Sequence, residues 1–186
     1  MSTFPAELTG TWDIDPVHST VGFTAKHAMV ATTRGHFTVF TGGATIDADN
    51  PENSSLWVDI DADSVNTGNE QRDGHLRSAD FFNVETHPHI AFKSTSVMVD
   101  GDDIVTAGDL TVAGVTHPVE IRWEFGGVSK DPYGNQRAGF DGVTTLNRKD
   151  WGLVWNAAIE TGGFLVSDKI KLVLEIAAVK RADTPA

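Results

Sequence analysis

Val119-Glu120-Ile121-Arg122-Trp123-Glu124-Phe125, inside a run from Val115 to Ser129, decides the fold class. Apolar and charged residues alternate without a slip. Val119, Ile121, Trp123 and Phe125 therefore share one face, and Glu120, Arg122 and Glu124 the other. A period of two marks a β-strand with one buried face, because successive side chains project to opposite sides of the pleat. A helix would scatter the same seven residues around its axis.

The period extends in both directions. Beyond the turn Asp131-Pro132-Tyr133-Gly134-Asn135, the runs Gln136 to Asn147 and Lys169 to Lys180 read as strands, the second through Ile170, Leu172, Leu174 and Ile176. On the other side, His89 to Val99 and Ile104 to Val112 meet at Asp100-Gly101-Asp102-Asp103, and Ala113-Gly114 turns the chain into Val115. Leu56, Val58, Ile60 and Ala62 alternate with Trp57, Asp59, Asp61 and Asp63. Val21, Phe23, Ala25 and His27 share a face, Thr11 to Ile14 is a short strand, and Asp15-Pro16-Val17-His18-Ser19 is a turn between them. Arg34 to Asp47 reads as one strand, with Phe37 and Val39 inward, His36, Thr38 and Phe40 outward, and a bulge or bend at Gly42-Gly43.

About eight long strands, apolar on one face and joined by mostly tight turns, must close on themselves or pair as two sheets. Hairpin order favours an up-and-down antiparallel barrel. A barrel of this size fills its interior or holds one small ligand. The chain reads as one all-β domain over residues 1–186, with the barrel at about 11–180.

Two stretches break the period. Arg148 to Asp168 sets Trp151, Leu153, Trp155 and Phe164 among glycines. Asn69 to Phe82 carries Arg72-Asp73-Gly74-His75-Leu76-Arg77 and reads as a short helical insert around 69–82. Asn69 is placed to cap it, Asp73 stands four residues before Arg77 as in a helix ion pair, and Arg72, His75 and Leu76 share a face. Laid across a barrel end, the insert is either a cork with solvated charges or a mouth that presents Arg72 and His75 to a polar group, with Leu76, Phe81 and Phe82 turned inward. His27, on an apolar face, is an interior histidine held by its neighbours or a ligand hydrogen-bonder. Phe23, Phe37, Phe92, Trp123 and Phe140 are either core or lining. The small inward residues Ala25, Gly108, Gly142 and Thr144 leave room for a channel.

Composition narrows the function. A net charge of −12 argues against sequence-independent nucleic-acid binding and against docking on an anionic membrane. With no cysteine, thiol catalysis and thiolate metal sites are excluded. No apolar run is long enough to span a bilayer, and the start Met1-Ser2-Thr3-Phe4-Pro5-Ala6-Glu7 lacks the basic and apolar regions of a signal peptide, so the expected location is the cytoplasm. No Gly-x-Ser-x-Gly elbow and no His-Glu-x-x-His motif occurs, and His87-Pro88-His89 is a poor metal pair. No catalytic residue, metal or cofactor is assigned. The enzymatic alternative would use His75 as base with Asp73 or Arg72 orienting it.

Several ordered blocks carry a resemblance: Asp15-x-x-His18-Ser19-x-Val21-x-Phe23 with His27; Gly35-x-Phe37; Arg72-Asp73-x-His75-Leu76-x-Ser78-x-Asp80-Phe81-Phe82; and Pro88-x-Ile90-x-Phe92-x-Ser94. Further on are Gly108-Asp109-Leu110-Thr111-x-x-Gly114-Val115-Thr116-x-Pro118-Val119, Gly139-Phe140 and Asn147-Arg148-x-Asp150-x-Gly152. From about Thr11 to Lys180 the chain resembles the YceI-like family of bacterial polyisoprenoid-binding proteins. The resemblance implies an extended lipocalin-like barrel whose internal tunnel carries a polyisoprenoid, such as a polyprenyl phosphate or an isoprenoid quinone, or a similar long-chain amphiphile, without catalysis.

On this basis Val21, Phe23, Phe37, Val39, Ile60, Phe92, Leu110, Ile121, Trp123, Phe140, Leu172 and Leu174 are expected to line the tunnel. Leu76, Phe81 and Phe82 close or frame one end, with Arg72, His75 and Arg148 near the head group and His27 among the ligand-binding residues. Each isoprene unit gains on the order of 3 kcal/mol gross on burial. Arg72, Arg77 and Arg148 are the candidates to offset the repulsion between an acidic protein and a phosphate head. Family members often pair, so a homodimer is the expected assembly. The remaining alternative is a stress-related interaction protein whose barrel is filled with side chains.

Overall fold

In the computed structural model, which describes residues 4–160 and 162–182, the alternating runs form one antiparallel sheet. Residues 1–3, 161 and 183–186, which the single-domain expectation includes, lie outside that description. The strands are β1 (Gly10–Ile14), β2 (Thr20–His27), β3 (Ala31–Phe37), β4 (Phe40–Ile46), β5 (Ser55–Asp61), β6 (Val65–Asn66), β7 (His89–Asp100), β8 (Asp103–Val112), β9 (Val115–Lys130), β10 (Gln136–Asn147) and β11 (Val166–Lys180). The helix α1 covers Glu70–Arg77.

Eleven segments make eight barrel staves, because three staves are broken. β1 and β2 both run along β11, Trp12–Ile14 against Ala178–Lys180 and Thr20–His27 against Val166–Glu175. β4 and β3 continue alongside β1 and β2, and β5 and β6 alongside β4 and β3. β7 to β11 then follow in sequence. The contact of β11 with β1 and β2 closes the barrel, so no long edge is left unpaired among the described residues. The result is a closed, eight-stranded, lipocalin-like antiparallel barrel.

One stave departs from the expected pattern. Arg34 to Asp47 is two strands, parted at Thr38 and Val39, whose backbone N–H groups both donate to Ser64 Oγ (3.1 and 3.0 Å). The break shifts the inward face by one residue. Val39 is therefore 55 % exposed, outside the barrel, and Phe40 is buried in its place. Gly42-Gly43 makes no bend, since β4 pairs with β5 straight through it. The role of Gly43 is clearance: a Cβ there would stand 2.7 Å from the Trp12 carbonyl oxygen.

The two barrel ends differ in construction. At the lower end, a 3-10 turn over Ala6–Leu8 buries Leu8, whose carbonyl accepts from Trp12 Nε1 (2.7 Å). Beside it, the Asp15 turn is held as expected: Asp15 accepts from Val17 N–H, pairs with His18 (2.7 Å) and accepts from Arg137 Nη1 (2.7 Å). Arg137 also donates to Asp131 (2.8 Å). The Arg137 hydrogen bond first, and then His18, lowers the Asp15 pKa to about 2.

At the upper end, α1 and the Arg148–Leu165 connection lie over the barrel. Asn69 caps α1 by accepting from Arg72 N–H (2.9 Å). The expected Asp73–Arg77 pair does not form. Asp73 is buried and accepts from the N–H and hydroxyl of Thr67 (2.9 and 2.6 Å). Arg77 turns the other way, to the carbonyls of Asp63 and Val65. Two part-buried Thr67 donors outcompete an exposed helix ion pair, which is worth only about 0.3–0.5 kcal/mol.

Candidate ligand-binding site

The barrel encloses a cavity of about 790 Å³, so its interior is lined rather than filled to the axis. Val21, Phe23, Phe37, Ile60, Phe92, Leu110, Ile121, Trp123, Phe140, Leu172 and Leu174 form its wall as expected, together with Leu76, Phe81 and Phe82 under α1. Val39 is the exception, displaced outward by the break after β3.

The small inward residues act on the rings rather than leaving empty space themselves. A Cβ on Gly142 would lie within 2.6 Å of two Trp123 ring carbons, and one on Gly108 would lie 2.6 Å from Phe92 Cζ. The Trp123 ring and the tip of the Phe92 ring therefore occupy the space above these glycines, which any side chain there would take from them.

Sequence reasoning missed part of the wall. Phe4, Leu8 and Trp12 close the lower end, and Lys26, Thr33, Gln71, Trp155, Leu165 and Val166 frame the upper mouth. Apolar residues four apart at Phe4, Leu8 and Trp12 were a signal for the first group. The second group is assembled from four separate segments, and no local pattern announces it.

The mouth is built by α1, the β2–β3 hairpin and the connection before β11. His75 packs edge-on against Trp155 (4.5 Å between ring centroids) and Phe81 (5.1 Å), and its Nε2 pairs with Asp80 (2.9 Å). Asp73 is committed to Thr67, so the His75–Asp73 dyad of the enzymatic alternative is not assembled. His27 and Lys26 stand at the end of β2, with Lys26 Nζ donating to Thr32 Oγ1 (2.8 Å). Arg72 donates from Nε and Nη2 to Thr67 (2.7 and 2.9 Å), leaving Nη1 without a protein partner among the described residues.

Arg148 has its guanidinium committed to the backbone. It is 5 % exposed, and its guanidinium donates to the carbonyls of Leu153 (2.6 Å), Trp155 (2.8 Å), Ser167 (2.9 Å) and Val166 (3.4 Å). Burial lowers its pKa, and Asp168, 3.7 Å away, partly offsets the shift. The residue fastens the connection to β11. Arg77 is likewise spent on carbonyls and is absent from the cavity wall.

The cavity inverts the charge of the protein. The chain holds 26 Asp and Glu against 14 Lys and Arg, yet the wall contains no acid among the described residues. Its charged members are Lys26, Arg72 and Arg148, and His27 and His75 stand near them. Neither Lys26 nor Arg72 is paired with a carboxylate among the described residues.

A family model described as the YceI-like domain matches residues 12–178, nearly the whole barrel. The chain belongs to the YceI-like family. It is 39 % identical to a UPF0312 protein of Ectopseudomonas mendocina, over 88 % of this chain and 83 % of that one. It is 37 % identical to protein YceI of Escherichia coli, over 91 % and 85 %. Among solved structures, Campylobacter jejuni YceI protein superposes with a TM-score of 0.72 at 30 % identity, covering 84 % of this chain and 90 % of that one. BcnA of Burkholderia cenocepacia reaches 0.75 at 22 % identity, covering 88 % and 98 %, which speaks for the fold.

Proposed function

We propose that this YceI-like barrel is a non-enzymatic carrier or store for a long-chain amphiphilic lipid, with a polyisoprenoid such as a polyprenyl phosphate or isoprenoid quinone as the best-fitting class. One observation carries the reading: an open apolar lumen whose charged wall residues, among the described residues, are all basic, in a strongly acidic protein. A lumen of this size lies within the range of small-molecule sites. The tail supplies affinity at roughly 0.8 kcal/mol gross per buried methylene, and the mouth supplies selectivity through Arg72, Lys26 and His27. A polyisoprenoid-binding domain from Saccharophagus degradans shares the architecture at 19 % identity and a TM-score of 0.65, which supports the ligand class by analogy of fold.

Native mass spectrometry of the purified protein, with organic extraction of what it holds, tests this directly. A long-chain lipid at one per barrel, or uptake of added polyprenol, is the expected result. The control is Ala25→Trp, which places an indole in the lumen. It is expected to abolish uptake while the fold, followed by circular dichroism, persists. A wild-type barrel that extracts clean and takes up no polyprenol would sink the reading.

A further inference from the structure

The rim of the mouth exposes apolar side chains on two loops that are fastened together. The β2–β3 turn is closed by the Val30 N–H on the His27 carbonyl (3.2 Å). It is tied to the connection before β11 by the Ala28 N–H on the Leu165 carbonyl (2.8 Å). Met29 Sδ stands over Gly163, in the space a Cβ there would need. Around this joint Met29 is 65 % exposed, Val30 83 % and Phe164 62 %. Close by in the chain, Lys26, His27, Leu165 and Val166 line the cavity, so the apolar rim is continuous with the lumen.

The turn does not carry the residues its backbone prefers. Ala28 and Met29 both adopt left-handed φ, 48° and 65°. Two successive residues in that region are what a type I′ turn requires, and Asn-Gly is the favoured pair because it eases the Cβ clash. Alanine and methionine in these places cost stability and hold an apolar tip in water.

Charge is arranged around the tip as well. The chain holds 26 Asp and Glu, yet none falls between Pro16 and Ile46. The uncharged tip, Ala28 to Thr33, is flanked by Lys26 and His27 on one strand and by Arg34 on the other. An apolar tip with basic flanks matches the layers of a lipid bilayer, where hydrocarbon lies beneath phosphates. Glu160, exposed in the neighbouring connection, keeps any insertion shallow. A second copy of the chain fits less well. Three tip side chains fall far short of the roughly 20–30 residues a side in a stable protein interface, and two chains of net charge −12 repel each other. Val17 and Tyr133 are exposed at the lower end, but on turns held by Arg137 ion pairs beside a closed cavity end.

We propose that the rim is a membrane-docking surface: Met29, Val30 and Phe164 insert into the interfacial layer of an electrically neutral bilayer and bring the mouth against it. A lipid then passes between bilayer and lumen without crossing water. The choice of occupant rests on the lipid reading of the cavity. Attachment is apolar and therefore insensitive to salt, in keeping with the acidity of the whole protein.

Flotation with phosphatidylcholine vesicles tests the proposal. The wild-type protein is expected to float with them equally at low and high salt, and Val30→Ser combined with Phe164→Ser to weaken binding by about tenfold or more. In the Ala28→Asn, Met29→Gly double variant, binding should fall while the thermal midpoint holds or rises, because that pair suits the turn. Since the chain has no cysteine, a polarity-sensitive dye on Met29→Cys reports insertion, with Tyr133→Cys as the comparison at the closed end. Brightening at position 29 alone is expected. No flotation of the wild type, undiminished flotation of the variants, or equal brightening at both positions would overturn docking. A concentration-dependent dimer that the same substitutions dissolve would also overturn it and assign the rim to a second copy. Uptake of polyprenol from cyclodextrin, with no bilayer present, is the separate control, and there the variants should match the wild type. Flotation without uptake would overturn the lipid reading and leave the docking surface standing; uptake without flotation would do the reverse.

Discussion

At the lower end of the barrel Arg137 lies between Asp15 and Asp131, and Leu8 is sealed against Trp12. At the upper end Arg72 lines the cavity with no direct ion pair among the described residues, and the Thr67 hydroxyl that accepts from its Nε stands between it and Asp73. The same residue types thus build a closed end and an open one. Where Arg and Asp neutralise each other, the wall is tied shut. Where the acids are removed or redirected, cationic groups stay available to a ligand. The upper end repeats the contrast within itself, because Arg148 is buried against four carbonyls and Arg72 is exposed with an idle Nη1. Charge alone does not make a binding residue; what its hydrogen bonds are already committed to decides.

The sharpest way to break this comparison is to remove each arginine in turn. Arg148→Ala is expected to cost about 3 kcal/mol or more, read as a fall in the urea midpoint, because it strands several buried carbonyls at once. Arg148→Lys should not restore it, since one ammonium lacks the guanidinium fork that reaches both segments. Arg72→Ala, by contrast, should leave the midpoint almost unmoved. If the two variants lose equal stability, the distinction between fastening and binding arginines fails.

The closed end makes a pH prediction of intermediate size. Asp15 has a folded pKa of about 2, below the unfolded value of about 3.9, and Asp131 is lowered as well, first by Arg137. A depressed carboxylate stabilises the fold above its unfolded pKa, and that stability is lost as pH falls toward the folded pKa. Denaturation midpoints should therefore drop between about pH 5 and about pH 2. The drop should be shallower in Arg137→Ala, which is already weakened at neutral pH. Parallel curves for the two proteins would remove the charge lock from the account.

The smallest expected effect belongs to the open end. Arg72→Ala and Lys26→Ala should each reduce the preference for a polyprenyl phosphate over the uncharged polyprenol by about two- to fivefold, more at low salt, as for partly exposed ion pairs. Titrations of both lipids at two ionic strengths measure this. An unchanged phosphate-to-alcohol ratio would place the head group elsewhere.

Much of the barrel was legible because its signal is local. The period of two in β9, β10 and β11, the turns at Asp100–Asp103 and Asp131–Asn135, and the Asn69 cap each lie within a few residues of chain. Local alternation also misled, because Phe37 and Val39 continue a pattern that the backbone abandons at Thr38. The turn there is held by Ser64, some 25 residues away, which no short window can see. The lining aromatics were legible for the same reason as the strands. Lys26, Trp155 and the true assignment of Arg148 were not, because each depends on which segment lies opposite.

The sequence by itself determined an all-β chain with one short capped helix, the inward faces of most strands, and a family whose motifs run almost from end to end. Local backbone geometry and side-chain period suffice for those. Only the tertiary structure decided that the interior is lined rather than filled, that Arg72 keeps an idle donor at the cavity whereas Arg148 is spent on carbonyls and Arg77 lies outside the wall, and that Val39 faces outward. Those properties are settled by hydrogen-bond partners and packing neighbours brought together from distant parts of the chain.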